Sequence, residues 1–134
     1  SIPFKLTRLV SKKMIKNKYG RIVNIGSIFS SISKEKRASY SSSKFGLIGL
    51  TKSSAHDLAD RRILVNAVSP GFVKTNLTKN ILSANEIRKS STTIPMKRMA
   101  SPKEITGCVL FLSSGENTYI TGQNILIDGG FSSK

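Results

Sequence analysis

Apolar residues keep a helical period in some stretches of this chain and run together in short blocks in others. Residues 3 to 18 carry Phe4, Leu6, Leu9, Val10, Met14 and Ile15 among lysines, a stripe that fits a helix better than alternation. Gly20 is expected to stop that helix. The block RIVNI, residues 21 to 25, is β-branched and bounded by glycines, and it reads as a buried strand. Its end, Gly26-Ser27, opens a Ser-rich loop. A second helix is predicted from about Ala38 to Asp60, with Phe45, Ile48, Thr51, Ala55 and Ala59 on one face and Leu47, Leu50 and Leu58 widening it. ILVNAVS, residues 63 to 69, reads as a second strand, cut off by Pro70-Gly71.

From Lys74 to Ser101 the chain is polar and without a strong period, the signature of a lid or substrate loop, with one short helix expected near residues 84 to 90. Ser101-Pro-Lys-Glu104 is a capping box with proline at the first helical position, and it starts a helix to about Ser113. NILID, residues 124 to 128, gives a third strand, closed by Gly129-Gly130. Helices alternating with apolar strands predict an α/β fold, a parallel sheet covered on both faces. Three strands make a small sheet, and RIVNI would keep an open apolar edge, so an N-terminal part of the domain is expected to precede Ser1.

Composition narrows the class. At 134 residues and 38% hydrophobic content the chain has the size and makeup of one globular domain. Its apolar runs fall well short of the roughly 18 residues that cross a bilayer, and no secretory leader is evident, so a cytoplasmic, non-membrane protein is expected. One cysteine, Cys108 in GCVLFL, excludes a disulfide framework and reads as a small apolar residue. The net charge of +15 raises the question of nucleic acid. The lysines are strewn through every segment, with no Arg-rich tract or aromatic platform between them, and this favours a solvated surface.

Candidate chemistry gathers after the strands, where open parallel sheets form their crevices. Gly26-Ser27 follows the first, and Pro70-Gly71-Phe72-Val73-Lys74-Thr75 follows the second. Between them, Tyr40 and Lys44 are four residues apart on one helical face. A phenol, with a reference pKa of about 10, carries protons poorly at neutral pH, and a positive amine nearby favours its ionised form. A serine hydroxyl could hold the substrate oxygen whose proton such a phenol gives or takes. Taken singly, Tyr40 and Lys44 could be an ordinary surface pair, and Ser27, Ser30 and Ser31 could be turn residues. His56 reads as surface, with no cluster at ligand spacing, so no metal site is expected.

GRIVNIGS (20 to 27), YSSSK (40 to 44) with Gly46 after it, ILVNAVSPGFVKT (63 to 75) and YITGQNILIDGG (119 to 130) together resemble the short-chain dehydrogenase/reductase family, in that family's order and over nearly the whole chain. The resemblance is to the branch that includes beta-ketoacyl-acyl-carrier-protein reductase. The 13 residues from Ser27 to Tyr40 are a family spacing and favour Ser27 over its neighbours. It implies the C-terminal half of a Rossmann-like doubly wound sheet. Tyr40 would be the catalytic acid/base, Ser27 its carbonyl-polarising partner, and Lys44 the holder of the nicotinamide ribose. NAD or NADP would touch Tyr40, Lys44, Pro70, Gly71, Val73 and Thr75. The family's glycine-rich dinucleotide motif and its tetrad asparagine are absent from these residues, so this half alone is expected not to turn over and cofactor preference is unreadable. The implied substrate is a small-molecule or acyl-thioester carbonyl compound, and the implied assembly a homodimer or homotetramer paired through the first two helices. A non-catalytic basic binding protein and an inactive fragment are the competing readings.

Overall fold

The computed structural model describes residues 1–133 and, for Leu77 and Lys79, the backbone alone. Helix α1 spans Ile2–Asn17, strand β1 Gly20–Ile25, helix α2 Ala38–Leu58, strand β2 Ile63–Pro70, helix α3 Asn76–Ile81, helix α4 Ala84–Thr93, helix α5 Pro102–Ser113 and strand β3 Asn124–Ile127. Short 3-10 turns at Ile28–Ser30 and Ala59–Arg61 follow β1 and α2. The strands lie in the order β1-β2-β3, all parallel, as the alternation of helices and strands predicts. Gly20 pairs with Ile63 at one end of the first ladder, and Pro70 with Ile127 at one end of the second.

β2 is the central strand, and residues Ile63 to Ser69 are all buried. Side chains alternate across a strand, so burial throughout requires cover on both faces. On one face Ile63 and Val65 meet Ala55 and Leu58 of α2, with Met14 and Ile15 of α1 and Ile22 of β1 closing the cluster. α5, which also packs on β1 and β2, covers the other, with Leu112 fully buried. Being an edge, β1 is only half-buried, and Ile25 at its end is exposed.

Three expectations are corrected here. Lys18, in the left-handed region at φ 50°, ends α1, and the carbonyls of Met14 and Ile15 accept the closing amides. Gly20 instead begins β1, where a Cβ would come within 2.5 Å of Met14 Sδ. The buried face of α2 runs through Ser41, Ile48, Thr51, Ser54, Ala55 and Leu58, while Phe45 and Ala59 face outward. Residues 76 to 81 form α3, because the Thr75 hydroxyl accepts the Thr78 amide and caps its start.

The Ser101 capping box is present: the Glu104 carboxylate accepts the Ser101 amide at 2.8 Å, and Arg98 grips the same carboxylate with two bonds of 2.7 and 2.8 Å. Those donors, Arg98 first and the Ser101 amide next, hold the Glu104 carboxyl down at about 2 against an ordinary 4.5. A depressed folded-state pKa stabilises above the unfolded value and is lost as pH falls through the folded one. Glu104→Gln is therefore expected to flatten the part of the melting temperature's acid decline that lies between pH 4.5 and 2. Thermal melts across that range check it, and a variant with the parent's slope would contradict it.

Candidate active site

The carboxyl ends of β1 and β2 lie side by side, since Ile25 pairs with Val68. The Gly26 amide donates to the Val68 carbonyl at 2.7 Å, extending the ladder one residue past β1. Ser27 then turns the chain: its hydroxyl accepts the Phe29 amide at 3.2 Å and caps the 3-10 turn. Ser27 is nearly buried, held by its place between two ordered backbone segments.

Tyr40 lies in the first turn of α2, and Lys44 follows one turn later. The loop before α2 passes through Lys36 in the left-handed region and is tied to the helix by a 2.7 Å contact between the Ser33 and Ser41 hydroxyls. Lys44 Nζ lies 5.7 Å from the centroid of the Tyr40 ring and donates to the Ile25 carbonyl at 3.2 Å. The four-residue spacing thus does bring phenol and ammonium together, and it anchors the ammonium to the end of β1. Phe29 links the two halves of the site. Its amide is bound to Ser27, and its ring meets Tyr40 edge-on, centroids 6.1 Å apart. Lys34 and Arg37 sit over that same Phe29 ring at 5.8 and 5.9 Å, so three cations surround the aromatic pair.

Beyond Tyr40 opens a cleft of about 570 Å³, walled by Tyr40, Gly71, Phe72, Val73, Thr75, Thr78, Ile81, Leu82 and Met99. Its floor is fixed from β3. The Gly71 amide donates to the Ile127 carbonyl at 2.9 Å, and a Cβ on Gly71 would come within 2.8 Å of Asp128 Cβ, so glycine lets the two segments touch. The segment carrying α3 and α4 leaves and rejoins the body at one place, where the Lys74 amide donates to the Ala100 carbonyl and the Ala100 amide to the Phe72 carbonyl. It walls the cleft through Thr75, Thr78, Ile81, Leu82 and Met99, and its end is also tied down after β3, where the Met96 amide donates to the Gly129 carbonyl. Thr75 caps α3 and Thr78 donates to the Val73 carbonyl, so both hydroxyls are engaged within the loop. Pro70 is the last residue of β2 and is half-buried.

The residues present suit the nicotinamide end of a dinucleotide. Lys44 spends one of its three donors on Ile25, which leaves ammonium protons for a diol. No glycine-rich phosphate turn occurs in the 134 residues. Among the described residues no group of three or more His, Cys, Asp or Glu could hold a metal, and no helix is long and apolar enough to cross a membrane. His56 is exposed, beside a separate hollow with Lys52 and Gln123. Cys108 is half-buried, and burial pushes its thiol up. Sequence reasoning missed the buried Ser30, Ser69 and Asn66; their signal, polar residues inside or beside apolar strands, is faint in one sequence.

A family model described as enoyl-(acyl carrier protein) reductase matches residues 3–132. The chain is 49% identical over 127 residues to a 3-oxoacyl-(acyl-carrier-protein) reductase of Buchnera aphidicola, a match that covers 95% of this chain and 52% of the relative. It is 46% identical to one of Aquifex aeolicus, covering 95% and 51%. Among solved structures, a gluconate 5-dehydrogenase of Burkholderia cenocepacia in complex with NADP and tartrate superposes with a TM-score of 0.90 at 29% identity, over 98% of this chain and 52% of that one. A 4-hydroxyisoleucine dehydrogenase mutant complexed with NADH and succinate gives 0.91 at 36%, over 98% and 55%. The chain spans about half the length of the curated relatives it matches.

Proposed function

The chain belongs to the short-chain dehydrogenase/reductase family, and on that premise we propose that it supplies the proton-transfer site of an NAD(P)-dependent oxidoreductase interconverting a carbonyl and an alcohol, with a 3-oxoacyl thioester as the carbonyl substrate. The observation that carries this reading is the Lys44 ammonium 5.7 Å from the ring of Tyr40, which itself forms a wall of the cleft.

In the reducing direction Tyr40 gives its hydroxyl proton to the carbonyl oxygen, and the Ser27 hydroxyl donates a hydrogen bond to the same oxygen. The nearby charge of Lys44 stabilises the negative charge left on the ring oxygen. NADPH or NADH, when bound, supplies the hydride to the carbonyl carbon, so that one hydride and one proton convert C=O to CH–OH. The remaining donors of Lys44 suit the ribose hydroxyls, and the segment Pro70, Gly71, Val73 and Thr75 suits the nicotinamide. Tyr40 is 42% exposed, so solvent can return the lost proton.

The cleft lining supports an acyl substrate. Phe72, Val73, Ile81, Leu82 and Met99 are apolar, among the described residues no charged side chain lines the wall, and Thr75 and Thr78 are already bonded within their loop. An alkyl chain gains by burial there at about 25 cal/mol per Å², whereas a polyhydroxylated acid would leave its hydroxyls without partners. The three cations around Phe29 and Tyr40 favour an anionic carrier on the substrate. The exposed Phe4, Leu6 and Leu9 of α1 with Phe45 of α2 support a homodimer or homotetramer.

The test follows nicotinamide absorbance in the full-length protein with a 3-oxoacyl thioester and with a keto sugar acid. The thioester is expected to show at least a tenfold advantage in kcat/KM, on the order of 1.4 kcal/mol. A preference for the sugar acid would refute the substrate, and turnover of neither would refute the enzymatic reading.

A further inference from the structure

Three polar side chains meet at the carboxyl end of the sheet, one from each strand region. Ser30 ends the 3-10 turn after β1, Ser69 is near the end of β2, and Asn124 begins β3. Ser30 is 4% exposed and Ser69 0%. Their hydroxyls are 2.9 Å apart, Ser69 Oγ donates to Asn124 Oδ1 at 2.6 Å, and Asn124 Nδ2 donates to Ser30 Oγ at 3.3 Å. The outward link matters most. Ser30 Oγ donates to the Ser27 carbonyl at 2.6 Å, beside the Ser30 amide that donates to the same carbonyl at 2.8 Å.

We infer that Ser30, Ser69 and Asn124 are positioning residues for the reaction: a buried clamp that fixes the Ser27 backbone, and through it the hydroxyl proposed to bond the substrate oxygen. Proton bookkeeping supports the clamp. Both hydroxyl protons are committed, that of Ser30 to the Ser27 carbonyl and that of Ser69 to Asn124 Oδ1, while the Asn124 side-chain amide donates back to Ser30, so removing either hydroxyl takes a partner from Asn124. Sterics point the same way. A Cβ on Gly26, the residue before Ser27, would overlap Ser69 Oγ, so the chain runs directly over the clamp. Burying three polar groups at the end of an apolar strand is costly unless each finds a partner, and here Asn124 partners both serines while Ser30 gives its proton to the Ser27 carbonyl.

The inference rests on the proposed role of Ser27, and a double-mutant cycle separates clamp from mere packing. In the full-length protein, Ser69→Ala is expected to lower kcat about tenfold, less than the roughly hundredfold that a displacement of about 1 Å can cost, with KM for NAD(P)H unchanged. In a Ser27→Ala background the same substitution should change kcat by less than about twofold, because its route to the substrate is gone. Equal losses in both backgrounds would overturn the inference. A second readout is independent of turnover. Amide exchange at Phe29 and Ser30, whose N–H groups donate to the Ser27 hydroxyl and carbonyl, should quicken about tenfold in Ser69→Ala. Unchanged exchange would overturn the clamp even in an active enzyme, and quickened exchange in a protein without reductase activity would sink the proposed function and keep the clamp. Should Ser69→Ala not fold, Asn124→Ala at a half-buried position is put through the same two measurements.

Discussion

Tyr40→Phe is expected to lower kcat about a thousandfold, within the 10² to 10⁴ typical of a positioned acid or base and equivalent to roughly 4 kcal/mol of barrier. The substitution deletes one oxygen and little else. Among the described residues no hydrogen bond reaches the Tyr40 hydroxyl, the residue is 42% exposed, and a phenylalanine keeps the edge-on contact with Phe29 and the cation at 5.7 Å. The melting temperature should therefore stay within about 1 °C of the parent, and NAD(P)H affinity within about threefold, because Lys44 remains anchored to Ile25. Loss of turnover with an intact fold and intact cofactor binding isolates the proton. A variant that keeps a third or more of the parental kcat would mean that another group, or water, carries it. A variant that loses stability in step with activity would assign the hydroxyl to structure.

What made this site legible in the sequence was local periodicity. Tyr40 and Lys44 are one helical turn apart, and any helix over those residues must stack them, whatever its surroundings. β2 was legible for a different reason. As the central strand it is covered on both faces, so it reads as one apolar block. β1 carries the same kind of block, and among the described residues it pairs with β2 alone and is half-buried. The α2 face was misread at Phe45 and Ala59 because close packing on β2 selects small side chains, and Ser41, Thr51, Ser54 and Ala55 carry a weak apolar signal. α3 has only six residues, too few to show a period, and a hydroxyl cap that requires the fold of the preceding turn starts it. Polar groups whose partners lie more than 30 residues away, Ser30 with Ser69 and Asn66 with Gln123, are tertiary facts that a linear pattern does not hold.

Asn66 illustrates that last class and gives the largest expected loss of stability. It sits in β2 at 1% exposure, donates to the Ile120 carbonyl at 2.7 Å and accepts the Gln123 amide at 3.0 Å. These two bonds lay residues 120 to 123 along β2, with the Val65 amide on Thr121 Oγ1 and the Gly122 amide on the Val65 carbonyl beside them. Asn66→Leu keeps the number and branching of the side-chain heavy atoms and removes both polar atoms. The Ile120 carbonyl still has the Asn117 amide at 3.0 Å, but the Gln123 amide loses the Asn66 acceptor. One stranded buried donor costs about 1 to 3 kcal/mol, and the lost bonds bring the total to roughly 2 to 4 kcal/mol. At roughly 3 °C per kcal/mol that corresponds to a fall of about 10 °C in melting temperature. A fall of less than about 2 °C would show that the remaining bonds to Val65, Ala67 and Asn117 hold residues 120 to 123 without Asn66. The loss should also spread toward the chemistry, because the strand that follows ends at Ile127, whose carbonyl accepts the Gly71 amide, and Asp128 just after it bounds the glycine of the cleft floor. Amide exchange at Gly71 should therefore quicken together with that at Gln123, well before the α1 amides respond.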